Sequence, residues 1–224
     1  MTRPWQTLDA LDTEAGELEL RRRGADEFLI VLEGRVLMNS AASRSEVALA
    51  RIACAELAGR AAPRVLIGGL GMGCTLRAAL DALPAAACVV VAELHAVVLR
   101  WCRGPLAGLT EQAVDDPRVE LRIGDVASAI REAAAPGATR LDAVLLDLYE
   151  GPHPASQPRD HPHYGPAALA RTRAALRPGG ILAIWSEDPD PGFERDLGRA
   201  GFAVRRERPG RGGRRHAVYI ASAR

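Results

Sequence analysis

The chain has 224 residues, 48% of them hydrophobic, with 29 basic and 28 acidic side chains and a formal net charge of +1. That length buries a substantial core and fits one domain with a small appendage; the balanced charge excludes a global field that would draw the chain onto nucleic acid or anionic membrane. Apart from histidine every basic residue is arginine, so chemistry that needs a lysine (a Schiff base, a P-loop cation, a lysine general base) is excluded.

In chain order, "ELELRRR" and "EFLIVLEGRVLMN", with Gly34 between two short apolar runs, predict a β-hairpin segment over 1–42. "SRSEVALARIACAELAGR" predicts a helix capped by Ser43 or Ser45, with Val47, Leu49, Ile52, Ala53 and Leu57 roughly at helical spacing. A second rhythm then runs through 43–224. The apolar runs "RVLIG", "CVVVAE", "RVELRIGD", "LDAVLLD" and "GGILAIWS" predict strands, each followed by a helical stretch. Those helices fall over Cys74–Leu83, His95–Arg103, from Val126, over "PAALARTRAALR" and over Gly192–Arg199. "GFAVRRER" and "RHAVYIAS" close the chain as an antiparallel hairpin. Alternating strands and helices imply a parallel sheet covered on both faces. The expected fold is a Rossmann-like α/β domain, the seven-stranded, mostly parallel sheet of class I S-adenosylmethionine-dependent enzymes.

Cys54, Cys74, Cys88 and Cys102 form no C-x-x-C pair, and "MTRPWQTLDALDTEAG" lacks a secretory signal pattern. No apolar run approaches the roughly 20 residues that span a bilayer. A reduced, cytoplasmic protein with no membrane partner is expected.

The chemistry gathers at strand ends. Gly69, Gly71 and Gly73 make G-x-G-x-G at a strand-to-helix turn, where bare backbone and a helix N-terminus let a ligand approach closely. A dinucleotide fold uses a similar loop but asks for Gly or Ala where Cys74 stands, which disfavours a nicotinamide oxidoreductase. The next strand ends at Glu93, followed by Leu94; a carboxylate there suits the two hydroxyls of a ribose. The third ends at Asp125, followed by Val126, placed to accept from an adenine amino group, and the fourth at Asp147. Each acid also has a plainer reading, as the cap of the helix that follows it.

These segments resemble the spermidine synthase family. "RVLIGGLGMGCTLRAAL" is similar to that family's strand, G-G-G-D-G loop and T-L-R helix start, and "VVVAELHAVVL" to its V-E-I-D segment. "DPRVELRIGDV" is similar to its D-P-R-V-x-x-x-x-G-D segment, "LDAVLLDLYEGP" to its D-x-I-x-x-D-x-x-D-P segment and "LEGRVLMN" to its L-D-G hairpin, so that the likeness runs from about Phe28 to Arg177. It implies that Gly69, Gly71, Met72, Gly73, Glu93, Leu94, Asp125, Val126 and Asp147 surround a nucleoside sulfonium, and that Asp147 is the base facing an attacking amine. Glu150 stands where the family has its second amine-binding acid. Met72 replaces the loop aspartate that holds the amine of decarboxylated S-adenosylmethionine, the glutamine after L-D-G has no clear counterpart, and "SAASRS" replaces aromatic and acidic residues.

Removing the loop aspartate removes a charge that would repel a carboxylate. Intact S-adenosylmethionine is therefore expected over its decarboxylated form, with methyl transfer to an amine-bearing small molecule. The alternatives are aminopropyl transfer in polyamine synthesis, or a non-catalytic nucleoside- or polyamine-binding module. Tyr149 is expected to pack against a cation, and His163 and Tyr164 to face substrate from the proline-rich loop "EGPHPASQPRDHPHYGP", which reads as a lid. His153, His161 and His163 with Asp160 match no metal motif, and no metal is expected. The basic cluster Arg205–Arg215 coincides with the terminal turn, so nucleic acid is not the expected partner. The family resemblance implies a homodimer.

Overall fold

The computed structural model describes residues 3–149, 151–153, 157–209 and 216–224. The first forty residues form a larger unit than the expected hairpin. β1 (Gln6–Thr13), β2 (Gly16–Arg23), β3 (Glu27–Leu32) and β4 (Arg35–Asn39) make an antiparallel meander of four strands. β1 is amphipathic and mostly exposed, and its "QTLDALDT" carries no β-branched or aromatic run that would mark it as a strand in isolation.

After α1 (Arg44–Ala55) the strands β5 (Arg64–Gly68), β6 (Cys88–Glu93), β7 (Val119–Ile123), β8 (Leu141–Leu146) and β9 (Leu176–Ser186) alternate with helices. These are α2 (Cys74–Ala82), α3 (Ala96–Arg103), α4 (Val126–Ala133) and α5 (Pro166–Ala175), with α6 (Pro191–Arg199) after β9. β10 (Phe202–Glu207) and β11 (Ala217–Ala223) complete a seven-stranded sheet in the order β10-β11-β9-β8-β5-β6-β7. The pairs from β7 across to β9 are parallel, and β11 runs antiparallel to both β9 and β10. The expected α/β architecture and its closing hairpin are both present.

Strand residues alternate between two cores, as a sheet covered on both faces requires. Val65, Ile67, Val89, Val91, Ala143 and Leu145 pack with α1, α2 and α3 on one face, where Leu18, Leu20, Phe28 and Ile30 of the meander join the same cluster. Leu66, Val90, Ala92, Val144 and Leu146 face α4, α5 and α6. At the opposite end from the glycine loop, buried Asp142 accepts from the Arg64 amide at 2.7 Å and pairs with Arg60, which closes the bottom of the sheet. Among the described residues no helix is long and apolar enough to cross a membrane.

Candidate active site

The carboxyl ends of β5, β6, β7 and β8 and one wall of the meander enclose a cleft of about 720 Å³. A sheet whose strand order reverses beside β5 opens a crevice at this edge, so the chain topology alone places the cleft.

The glycine loop forms its floor. Gly69 has φ 87° and Gly71 φ 51°, left-handed values that favour glycine. A Cβ at Gly69 would lie 2.5 Å from the carbonyl oxygen of Asp147, so loop and β8 approach as closely as bare backbone permits. These two glycines line the cleft, whereas Gly73 sits behind it as the N-cap of α2. Met72 does not reach the cleft either: its side chain is 1% exposed and packs in the core beside the meander. The backbone turns at Gly71 and Gly73 rotate residue 72 inward, so the Met72 side chain does not stand next to a ligand in the cleft. Under the loop, the Cys102 thiol donates to the Gly71 carbonyl at 3.3 Å, and burial pushes that thiol up to about 12. Such a cysteine is a core residue and not a nucleophile.

Glu93 does more than end a strand. Its Oε2 accepts from the Leu70 amide and its Oε1 from the His95 amide, both at 2.9 Å. The carboxylate is therefore fixed against the glycine loop, on the wall of the cleft, with exposed Leu94 beside it. Asp125 caps α4 by accepting from the Ala127 amide at 3.0 Å, and it also lines the cleft. The same Oδ1 lies 2.8 Å from Nε2 of His163, which reaches in from the loop before α5. Burial pulls the Asp125 pKa up, and the hydrogen bonds from His163 and Ala127 outweigh it, leaving the group below its usual value. Val126 packs beneath, against Gly68, where a Cβ would meet its side chain at 2.8 Å.

Asp147, just beyond β8, lines the cleft. Burial pushes its pKa up to about 7; nearby Glu46 adds repulsion, and the hydroxyl of Thr75, hydrogen-bonded to Oδ2, pulls the other way. Glu46 is a site residue that sequence reasoning missed. As an acid in the first turn of α1 it looked like an ordinary partner for the helix dipole. Its side chain instead enters the cleft, accepting from Ser45 Oγ at 2.7 Å.

Tyr149 is 44% exposed on the cleft rim, with the Arg35 guanidinium 4.8 Å from its ring centroid. Glu150 lies outside the described residues, as do 210–215 of the basic cluster. Tyr164 is buried and does not line the cleft: it stacks on His161 at 4.9 Å and meets Phe193 edge-on at 5.9 Å. Trp185 and His216, whose rings lie 5.2 Å apart, also line the cleft, together with Glu187. They belong to β9 and the approach to β11, where strand patterning gives no sign of a site. Among the described residues no group of three or more His, Cys, Asp or Glu side chains is placed to hold a metal.

No family model matches the chain. A polyamine aminopropyltransferase of Mycobacterium tuberculosis is 29% identical over 173 residues, covering 77% of this chain and 31% of that protein. Polyamine aminopropyltransferase 1 of Hyperthermus butylicus is 35% identical over 121 residues, 53% of this chain and 39% of that one. The chain thus spans only about a third of the length of the first of these relatives. A spermidine synthase from Thermotoga maritima superposes with a TM-score of 0.74 at 19% identity, covering 97% of this chain and 72% of that one. Human methyltransferase-like protein 13 in complex with SAH superposes with 0.57 at 19% identity, over 83% and 82% of the two chains. At these identities the structures speak for the fold, the seven-stranded class I sheet with a small antiparallel N-terminal sheet; the likeness in sequence is to polyamine aminopropyltransferases.

Proposed function

We propose that this spermidine synthase-like chain transfers an alkyl group from an S-adenosyl sulfonium to an amine, with aminopropyl transfer from decarboxylated S-adenosylmethionine favoured over methyl transfer. The observation that carries the reading is Asp147, a carboxyl pushed up to about 7 on the lining of a cleft whose floor is the glycine loop. A base with that affinity for protons suits an acceptor amine near neutral pH.

The residues present fit such a nucleoside. Gly69 and Gly71 offer backbone that a β-carbon would obstruct, Glu93 and Asp125 are acceptors placed along the same wall, and the cleft has room for a nucleoside beside a second molecule. The bound sulfonium supplies an electrophilic carbon and a neutral thioether leaving group. Asp147 orients the amine and takes its proton as the new carbon–nitrogen bond forms and the carbon–sulfur bond breaks onto sulfur. Glu46 reinforces the negative field at that point, and the meander wall keeps water out.

Two considerations reverse the expectation of intact S-adenosylmethionine. The relatives with detectable sequence similarity are named polyamine aminopropyltransferases. Glu46, Glu93, Asp125 and Asp147 line the described cleft near the glycine loop, whereas the cleft cation Arg35 faces Glu187, so the field near the loop repels an extra carboxylate and attracts a free ammonium. With Met72 in the core, nothing in the loop offsets this. Calorimetric titration with intact and decarboxylated S-adenosylmethionine and with their nucleoside products tests the reading. Tighter binding of the decarboxylated form and of methylthioadenosine is expected. Preference for the intact form and its demethylated product would restore methyl transfer.

A further inference from the structure

Thr75, the second residue of α2, is a polar side chain held inside the protein at 1% exposure, behind the cleft lining. Its hydroxyl oxygen stands 2.5 Å from Oδ2 of Asp147 and 3.5 Å from the backbone carbonyl oxygen of Glu46 on α1. A threonine hydroxyl has one hydrogen to give. With Asp147 ionised, that hydrogen goes to Oδ2, the nearer and charged acceptor. With a proton on Oδ2, the hydroxyl would have to accept there and turn its own hydrogen to the Glu46 carbonyl, a long reach for an O–H donor.

We infer that Thr75 is the positioning residue of the base: its hydroxyl engages Oδ2 of Asp147, so that the carboxylate meets the acceptor amine through Oδ1. This rests on the reading of Asp147 as the base of alkyl transfer. In that step the amine nitrogen forms the carbon–nitrogen bond and the carbon–sulfur pair leaves on sulfur. The nitrogen's proton passes to Oδ1, while Thr75 keeps its hydrogen on Oδ2. The same hydroxyl lowers the affinity of Asp147 for a proton, against burial and the charge of Glu46, which raise it. Among the described residues the other titratable groups coupled to Asp147 are Cys74 on α2, its thiol pushed up to about 11, and Tyr164 before α5, its hydroxyl pushed up by burial. Both stay uncharged near neutrality, so Thr75 and Glu46 are the opposing influences to separate.

Carbon-13 NMR of the Asp147 side-chain carboxyl, assigned by its loss in Asp147→Asn, reads the titration without turnover. Thr75→Val keeps the side-chain shape and removes the hydroxyl, and is expected to raise the midpoint by about one to two pH units. Thr75→Ser, which restores the donor, is expected to titrate with wild type. Glu46→Gln is expected to shift the midpoint down. In wild type the Thr75 Cβ resonance is expected to follow the Asp147 midpoint, and in Asp147→Asn to lose that response. Where valine prevents folding, Thr75→Ala is read in the same way. A midpoint unmoved by loss of the hydroxyl, or moved as far by serine as by valine, overturns the inference. Calorimetry of the same proteins with methylthioadenosine tests the transferase reading separately. If the nucleoside fails to bind, that reading falls, and the titration still decides whether Thr75 sets Asp147.

Discussion

A carboxyl pushed up to about 7 holds its proton over a range where the unfolded chain, with the ordinary value of 3.8, has lost it. Between those values the native state binds more protons than the unfolded one, so stability conferred at Asp147 falls as pH rises from about 4 to 7 and is fully lost above. Asp147→Asn removes that slope. The variant is expected to gain roughly 2–4 kcal/mol over wild type above neutral pH and almost nothing near the lower limit, as read by urea denaturation across pH. If the proposed sulfonium binds beside Asp147 it displaces that proton, so wild-type affinity for decarboxylated S-adenosylmethionine is expected to rise with pH through neutrality. Titration in buffers of different ionisation enthalpy reads that release. At Asp125 the competition is steric as well as electrostatic. His163 Nε2 already sits 2.8 Å from the oxygen that would face a base amino group. His163→Ala therefore leaves that oxygen with the Ala127 amide alone and one acceptor site open, and methylthioadenosine is expected to bind about three- to tenfold more tightly to it. Equal affinity would show that the base uses the other oxygen or does not come here.

The glycine loop shows why elements must be weighed by what surrounds them. Gly69 and Gly73 have similar left-handed φ values, 87° and 82°, yet their surroundings differ. A methyl at Gly69 strikes the Asp147 carbonyl, whereas one at Gly73 meets only ordinary contacts with Thr110 from 3.4 Å. Gly73→Ala is expected to cost about 1 kcal/mol and leave ligand binding measurable. Gly69→Ala is expected to cost about 2–4 kcal/mol and to abolish nucleoside binding by calorimetry, because loop and β8 must separate. The element that carries this contrast was legible in sequence, and so were β5, β6 and β8, because strands buried on both faces read as unbroken apolar runs. Which way the loop side chains point was not legible: the φ values at Gly71 and Gly73 turn Met72 into the core, and the spacing of the glycines does not encode that rotation. β1 escaped notice for the opposite reason. Its exposed, amphipathic sequence becomes a strand only because β2 offers a register from Gln6↔Arg22 to Thr13↔Gly16. The part of the cleft lined by Val36, Trp185 and His216 was illegible because it is assembled from β4, β9 and the approach to β11, segments far apart in the chain, and no local pattern records their meeting.

At the scale of the molecule the meander serves as both core and cleft wall. Leu18, Leu20, Phe28 and Ile30 belong to the cluster that also holds Leu49, Leu76 and Trp101, and the indole Nε1 of Trp101 donates to Asp9 at 2.8 Å. Its other edge supplies Val36, Leu37 and Met38 to the cleft. A unit joined in this way cannot unfold alone without uncovering one face of the large sheet. Leu20, 0% exposed, tests the point. Leu20→Ala leaves a cavity inside the shared cluster and is expected to cost about 2–5 kcal/mol. If the meander and the α/β sheet form one cooperative unit, far-UV dichroism and tryptophan fluorescence move together to a lower urea midpoint with the slope unchanged. Single-tryptophan variants keeping Trp5, ahead of β1, or Trp185, in β9, localise the signal to each part. An early Trp5 transition that leaves Trp185 at its wild-type midpoint would make the meander a separate unit. The wall it gives the cleft would then be a mobile one, and amine affinity in Leu20→Ala would collapse well before the large sheet unfolds; a shared transition keeps wall and base in one rigid site and ties amine binding to global stability.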